Sequence, residues 1–273
     1  MGNLGMNVSR STPMKSRTLL SAWALLSCAS LAHGSPVSLG HGPIPQEQDS
    51  ENSDLPKEDQ LEGMNRVFFG FNQLLDGLFL KPLAQIYDLV VADPVKDRVS
   101  DFMDNMGEPV VFVNALLQGK GEEAGRTFGR FTINSTLGVG GLFNAAYEVA
   151  GLTRHYEDFG QTLAVWGVDS GPYLVVPFLG PSSFRDLIGT AVDMAMDPVN
   201  YLFRSNHHNE LPWIRTGVDA VRKRRDVLAV TDSLEKNSSD LYNSYRVLYG
   251  QTRLFQIKDG NVVYKDTPVL SED

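Results

Sequence analysis

The chain has 273 residues, 42% of them hydrophobic and 21% charged, and its 24 basic and 33 acidic residues give a formal net charge of −9. An acidic balance argues against nucleic-acid binding and against simple electrostatic attachment to anionic lipid. The single cysteine, Cys28, allows no intrachain disulfide. With Cys28 cleaved off or lipidated, no thiol remains for a zinc-thiolate site or a nucleophile.

Residues 1–34 read as a signal peptide. Lys15 and Arg17 precede an apolar run from Leu19 that gives way to small residues by Gly34. Such a run is too short for a stable spanning anchor. Cys28 follows Leu25-Leu26-Ser27, close to the Leu-small-small-Cys box of bacterial lipoproteins, with Leu26 where a small residue is usual. One expectation is cleavage before Cys28 with lipidation, which would confine the protein to a membrane face. The other is ordinary cleavage after Ala32 or Gly34. Loss of residues 1–27 removes three basic residues and no acidic one, taking the net charge from −9 to −12. Residues 35–58 are polar, acidic and proline-containing, the composition of a disordered linker.

Residues 59–250 form the expected helical domain, one unit with a full core. Its first helix, from about Met64, carries Phe68, Phe69, Phe71, Leu74, Leu75 and Leu78, with Asp76 and Lys81 its only charges from Val67 to Gln85. A helix apolar on most sides is either central to a core or lies in lipid. Pro82 is expected to kink or end it. Asp93 and Pro94 open a second helix that Gly107 closes, and Pro109 opens a third that stops at Gly119. The next pairs Glu122 with Arg126 at i, i+4 and carries Arg130 one turn on. Those two arginines either grip a phosphate or serve as solvated partners of Glu122 and Glu123. Gly138-Val139-Gly140-Gly141 lacks the third glycine of a dinucleotide loop.

Residues 159–178 break the helical rhythm with Gly160, Gly167, Gly171, Pro172 and Pro177, which predicts an extended loop or hairpin. Gly167 and Gly171 are its expected hinges. Ser183 and Asp186 have capping-box spacing at the start of a helix running towards Asp197-Pro198. Ile214, Val218, Val221 and Leu228 form an apolar stripe on a later helix. Arg222-Lys223-Arg224-Arg225 is then a solvated run or a docking patch on its other face. A last helix covers roughly 239–249. In the C-terminal extension, 251–273, Asp259-Gly260 signals a hairpin.

There is no HExxH, GxSxG or GxxxxGK[ST], and no carboxylate pair stands out by spacing. No catalytic residue, metal ligand or cofactor is assigned, and the chain reads as no enzyme.

LEGMNRVFFGFN at 61–72 followed by LKP at 80–82, EPVVFVNALLQG at 108–119, RFTINSTLGVGGLF at 130–143 and DFGQTLAVWGVDSGPYLVVPFLGPSSFRD at 158–186 keep one order. In these strings the chain resembles the MlaA family, also called VacJ lipoproteins. Asp59-Gln60 before LEG, where the family usually has Asp-Pro, and Met64, in place of an aromatic, depart from the family pattern. The resemblance implies a mainly α, ring-like domain embedded in the inner leaflet of the Gram-negative outer membrane, with a hairpin beside a channel. It implies a trimeric porin, a periplasmic lipid-binding protein and phospholipid as partners, and retrograde phospholipid transport as function. Phe68, Phe69, Phe71, Leu74, Leu75 and Leu78 are then expected to face lipid or close the ring. The alternatives are a porin-associated structural lipoprotein that moves no lipid, and an envelope phospholipase.

Overall fold

The computed structural model describes residues 59–260. The signal peptide, Cys28, the 35–58 linker and 261–273 lie outside the described residues. The fold is mainly helical: α1 (Glu62–Leu75), α2 (Lys81–Val90), α3 (Asp93–Leu117), α4 (Gly121–Thr136), α5 (Ala145–Ala150), α6 (Phe159–Val165), strands β1 (Tyr173–Val176) and β2 (Gly180–Ser183), α7 (Phe184–Met196), α8 (Pro198–Ser205), α9 (Leu211–Asp226), α10 (Leu228–Asn237) and α11 (Leu241–Ile257). Contacts run from α1 to β1, β2, α7, α6, α3, α9 and α2, and through the turn after α1 back to α1. The packing therefore closes into a circuit, as the ring-like expectation requires.

Pro82 neither ends nor breaks the first helix. A π-helical turn over Asp76–Leu80 joins α1 to α2, and the N–H of Lys81 reaches back to the carbonyl of Asp76. A widened turn relieves the clash between a proline ring and the preceding turn, so the chain stays helical.

Gly107 and Pro109 do not divide their segment either. α3 is one helix of 25 residues with Pro109 inside it, and it packs along α4. That long contact outweighs the roughly 3 kcal/mol an internal proline costs. Pro94 does sit in its first turn, and Gly119 ends the following turn at a φ of +76°.

Residues 159–178 hold less extended chain than expected. Asp158 accepts a hydrogen bond from Gln161 N at 2.9 Å and so caps α6. The hairpin lies later, with β1 antiparallel to β2 and Tyr173 opposite Ser183. Two asparagines two turns apart on α1 clamp it. Asn65 donates to Tyr173 O at 3.0 Å and accepts from Val175 N at 2.8 Å. Asn72 donates to Val176 O at 2.9 Å and accepts from Phe178 N at 2.8 Å.

Ser183 caps α7, accepting from Asp186 N at 3.2 Å, and Asp197 caps α8 through Val199 N at 2.9 Å. α6 crosses α7 so closely that a Cβ on Gly189 would lie 2.3 Å from Gly160 N. α11 runs through the expected boundary at residue 250 and on to Ile257. Its Arg253 grips Asp158 at 2.6 and 2.7 Å and Asp186 at 2.8 and 3.0 Å. Asp259-Gly260, expected in a hairpin, instead follows the end of α11 with positive φ at both residues.

The polarity of the described residues is inverted relative to a water-soluble domain. More polar and charged side chains are buried than hydrophobic ones, while a long series of large apolar residues faces outward. α9 shows this most directly. Ile214 and Val218 of the apolar stripe are exposed, whereas Arg222, Lys223 and Arg224 of the run expected to be solvated or to form a docking patch are buried. The apolar core is small and aromatic: Phe69, Tyr173, Val175, Tyr242, Tyr245, Leu248 and Tyr249.

Candidate functional site

A cavity of about 830 Å³, open to the exterior on one side, lies between α3, α4, α5, the 153–154 segment and α9. α3 contributes Asp97, Asp101 and Asp104 at helical spacing along one face, α4 contributes Arg130 and Asn134, and α9 contributes Arg222. Leu137, Phe143, Tyr147 and Val149 supply an apolar side. The cavity thus offers charge and hydrocarbon together.

Its charges are held by one another. Arg130 meets Glu108 at 3.1 Å and Leu152 O at 2.5 Å. It does not join Arg126, which pairs at the surface with Glu122 at 2.9 Å. Arg154 contacts Asp104, and Arg222 reaches the same carboxylate oxygen at 3.0 Å. Asp219 takes Arg222 and Lys223, each at 2.6 Å.

Burial alone would raise the Asp104 carboxyl, and the two guanidinium groups outweigh it and hold it below the usual range. The same contest, with Lys223 and Arg222 as partners, leaves Asp219 at about 2. Glu108 goes the other way, because burial exceeds the pull of Arg154 and Arg130. Deeper in, burial and the neighbouring Asp158 push Asp193 up to about 7.

A second cluster sits where α4 and α11 approach. Glu123, His155, Glu157 and Asp259 bring their ligand atoms within 4.8 Å of one another. Lys120 already satisfies this cluster, with its ammonium 2.7 Å from both Glu157 and Asp259. The hydrogen bond to Glu157 at 2.9 Å raises the His155 pKa.

A family model described as MlaA lipoprotein matches residues 57–256. The chain belongs to the MlaA family. It is 31% identical over 258 residues to a Haemophilus influenzae protein named "Intermembrane phospholipid transport system lipoprotein MlaA", covering 92% of this chain and 94% of that protein. An Escherichia coli protein of the same name is 32% identical over 78% of this chain and 83% of its own length. An uncharacterized Rickettsia felis protein is 36% identical over 80% and 83%. A solved structure described as "Structural basis for maintenance of bacterial outer membrane lipid asymmetry" superposes with a TM-score of 0.62 at 34% identity, covering 74% of this chain and all of that one.

In this MlaA-family fold the residues singled out from sequence divide between core and exterior. Phe69 is core, edge-on to Tyr242 and Tyr245 at 5.6 and 5.4 Å. Phe68 packs, half-buried, against the same cluster. Leu75 is half-buried, whereas Phe71, Leu74 and Leu78 are exposed. Phe71 stacks edge-on against Phe178 at 5.5 Å. Gly167 and Gly171 both have positive φ, +85° and +68°, in the loop between α6 and β1. None of these residues lines the large cavity. Sequence reasoning missed Asp104, Arg130, Arg154 and Arg222 as its walls. A signal existed in the basic run at 222–225, which no water-facing role explains once its neighbours Ile214 and Val218 are exposed.

Proposed function

We propose that this chain is the outer-membrane component of a retrograde phospholipid-transport system. It takes phospholipid misplaced in the outer leaflet through its polar interior and passes it to a periplasmic lipid-binding protein. That traffic keeps the outer leaflet poor in phospholipid. The inverted polarity carries the reading. No helix among the described residues is long and apolar enough to cross a membrane, yet Leu89 is 87% exposed and Trp213 76%. A body with ion pairs within and hydrocarbon outside suits one leaflet, where each buried CH₂ is worth about 0.8 kcal/mol. A lipid in transit needs a polar passage for its headgroup while its tails stay in hydrocarbon. No bond is made or broken. Family membership and the names of the relatives support the same role. A trimeric porin is the proposed neighbour in the membrane, and Cys28 the proposed lipid anchor on its periplasmic face.

Deleting the gene should raise outer-leaflet phospholipid, and restoring the intact chain should lower it again. No rise would favour a structural brace beside the porin, and fatty-acid release from vesicles by the pure protein would establish a phospholipase.

The hairpin is the proposed moving part, hinged at Gly167 and Gly171, where glycine tolerates positive φ. Asn72→Ala leaves Phe178 N without its acceptor, at about 1–3 kcal/mol for a group left unpaired, and leaves Val176 O with Leu179 N alone. Amide exchange at Phe178 is expected to quicken and lipid flux to change. Faster exchange with unchanged flux would remove the gating role.

A further inference from the structure

The large cavity has a small neighbour. A second space of about 130 Å³ lies between α3, α7, α8 and α9, and it shares three wall residues with the first: Asp104, Arg154 and Arg222. The small space holds only a few water molecules. Those three residues are the partition that the two spaces have in common.

The wall is a single carboxylate gripped by two guanidinium groups. Arg154 and Arg222 both meet Asp104 Oδ1. The two arginine side chains are 6% and 5% exposed, whereas that of Asp104 is 20% exposed. The carboxylate is thus the member that can leave into the large cavity. Arg154 is also imperfectly served where it stands. Its Nε lies 3.4 Å from Glu108, at ion-pair distance but without an acceptor in hydrogen-bond alignment. Buried guanidinium donors without aligned acceptors are costly, and a second acceptor group would be welcome there.

We propose, resting on the transport reading, that Asp104 occupies the seat of a phosphate between Arg154 and Arg222, and that an entering lipid phosphodiester displaces it and so opens the wall between the two cavities. A phosphodiester carries one negative charge, as the carboxylate does, so the exchange leaves both arginines paired. Its two non-bridging oxygens suit the planar guanidinium fork. Asp104 swings into the large cavity, where Arg98 also lines the wall. Passage is thereby conditional on a phosphate. A lipid of the same tails without one leaves Asp104 in place and meets a closed wall.

The test uses the full chain extracted in mild detergent, with native mass spectrometry counting the lipid bound. The probes are phosphatidylethanolamine, diacylglycerol and inorganic phosphate. Asp104→Asn keeps the shape and removes the competing charge, and is expected to raise phosphatidylethanolamine retention several-fold. Arg222→Lys keeps the charge and removes the fork, and is expected to lower it several-fold. Where Arg222→Lys fails to accumulate, Arg154→Lys tests the other arm of the grip. Diacylglycerol retention is expected to stay level in every variant.

Variants that hold as much phospholipid as a lipid-loaded wild type, or that change both lipids alike, overturn the checkpoint and leave the transport reading standing. Saturation by inorganic phosphate with unaltered lipid retention assigns the seat to free phosphate, and overturns it too. A wild type that holds no phospholipid, together with no rise in outer-leaflet phospholipid on gene deletion, removes both readings.

Discussion

Arg224→Leu is expected to destabilise the fold by about 3–5 kcal/mol, the usual consequence of stripping one partner from a buried ion pair. Arg224 meets Asp76 at 2.7 and 2.8 Å in a two-pronged contact, and its third nitrogen donates to Thr231 at 2.8 Å. The side chains are 3% and 6% exposed. Asp76 opens the π-helical turn, so the pair ties the widened turn to α9 and to the start of α10. Leucine leaves a carboxylate in the interior with no counter-charge. Adding Asp76→Leu should recover most of the loss, because two apolar groups of similar shape leave nothing unpaired. Denaturant unfolding of the purified single and double variants, followed by helix signal, measures both steps. A single variant within about 1 kcal/mol of wild type would mean that water reaches the pair.

The second large effect concerns the exterior. Ile86→Lys with Leu89→Lys is expected to abolish salt-resistant membrane retention while leaving the fold intact. Both residues are exposed on α2. On a surface bathed in water, such changes stay within about 0.5 kcal/mol. In hydrocarbon, each lysine costs up to about 2.5–3.5 kcal/mol near the centre of the layer. The experiment belongs in a Cys28→Ser background, so that an acyl chain does not mask the loss of grip. Cys28→Ser alone should impair sorting, yet delivered protein should resist a salt wash, since hydrophobic burial is not screened by salt. Release of that protein by salt in soluble, monodisperse form would sink the leaflet-embedded reading. Retention of the double lysine variant at wild-type level would show that α2 faces a protein partner or water instead.

Local signals were the most legible part of this chain. Ser183 and Asp197 announce their helices by side-chain chemistry that acts within three residues, and Gly119 marks its stop by a conformation only glycine adopts cheaply. The family strings carried the mainly helical, closed architecture. What the sequence hid depends on context. Pro109 disrupts an isolated helix, and only the length of packing against α4 keeps α3 whole. Pro82 is accommodated by one wide turn, which no periodicity reveals in advance.

The sign of α9 was inverted for a deeper reason. Hydrophobic patterning tells which face differs from which, but assigning one face to the interior assumes that water lies outside. Arg222, Lys223 and Arg224 were therefore read as an outward face, solvated or docking, and they are buried, while Ile214 and Val218 of the apolar stripe are exposed. The same assumption separates Phe69 from Phe71: two residues apart on one helix, one seals an aromatic core and the other faces out. The cavity walls, drawn from α3, α4, α9 and a loop, are assembled only in space.

The asparagine clamp on the hairpin has an effect on association between molecules. A strand paired on one side presents a row of unmet N–H and C=O groups on the other, and such an edge invites a strand from a neighbouring chain. Here that row on β1 is already read, because the side-chain amide of Asn65 takes Tyr173 O and Val175 N, while that of Asn72 holds Val176 O and Phe178 N where the hairpin turns. A helix thus does the work of a third strand without offering an edge of its own. For a protein whose outer surface is largely apolar, that leaves one route to β-type aggregation closed at the cost of two residues.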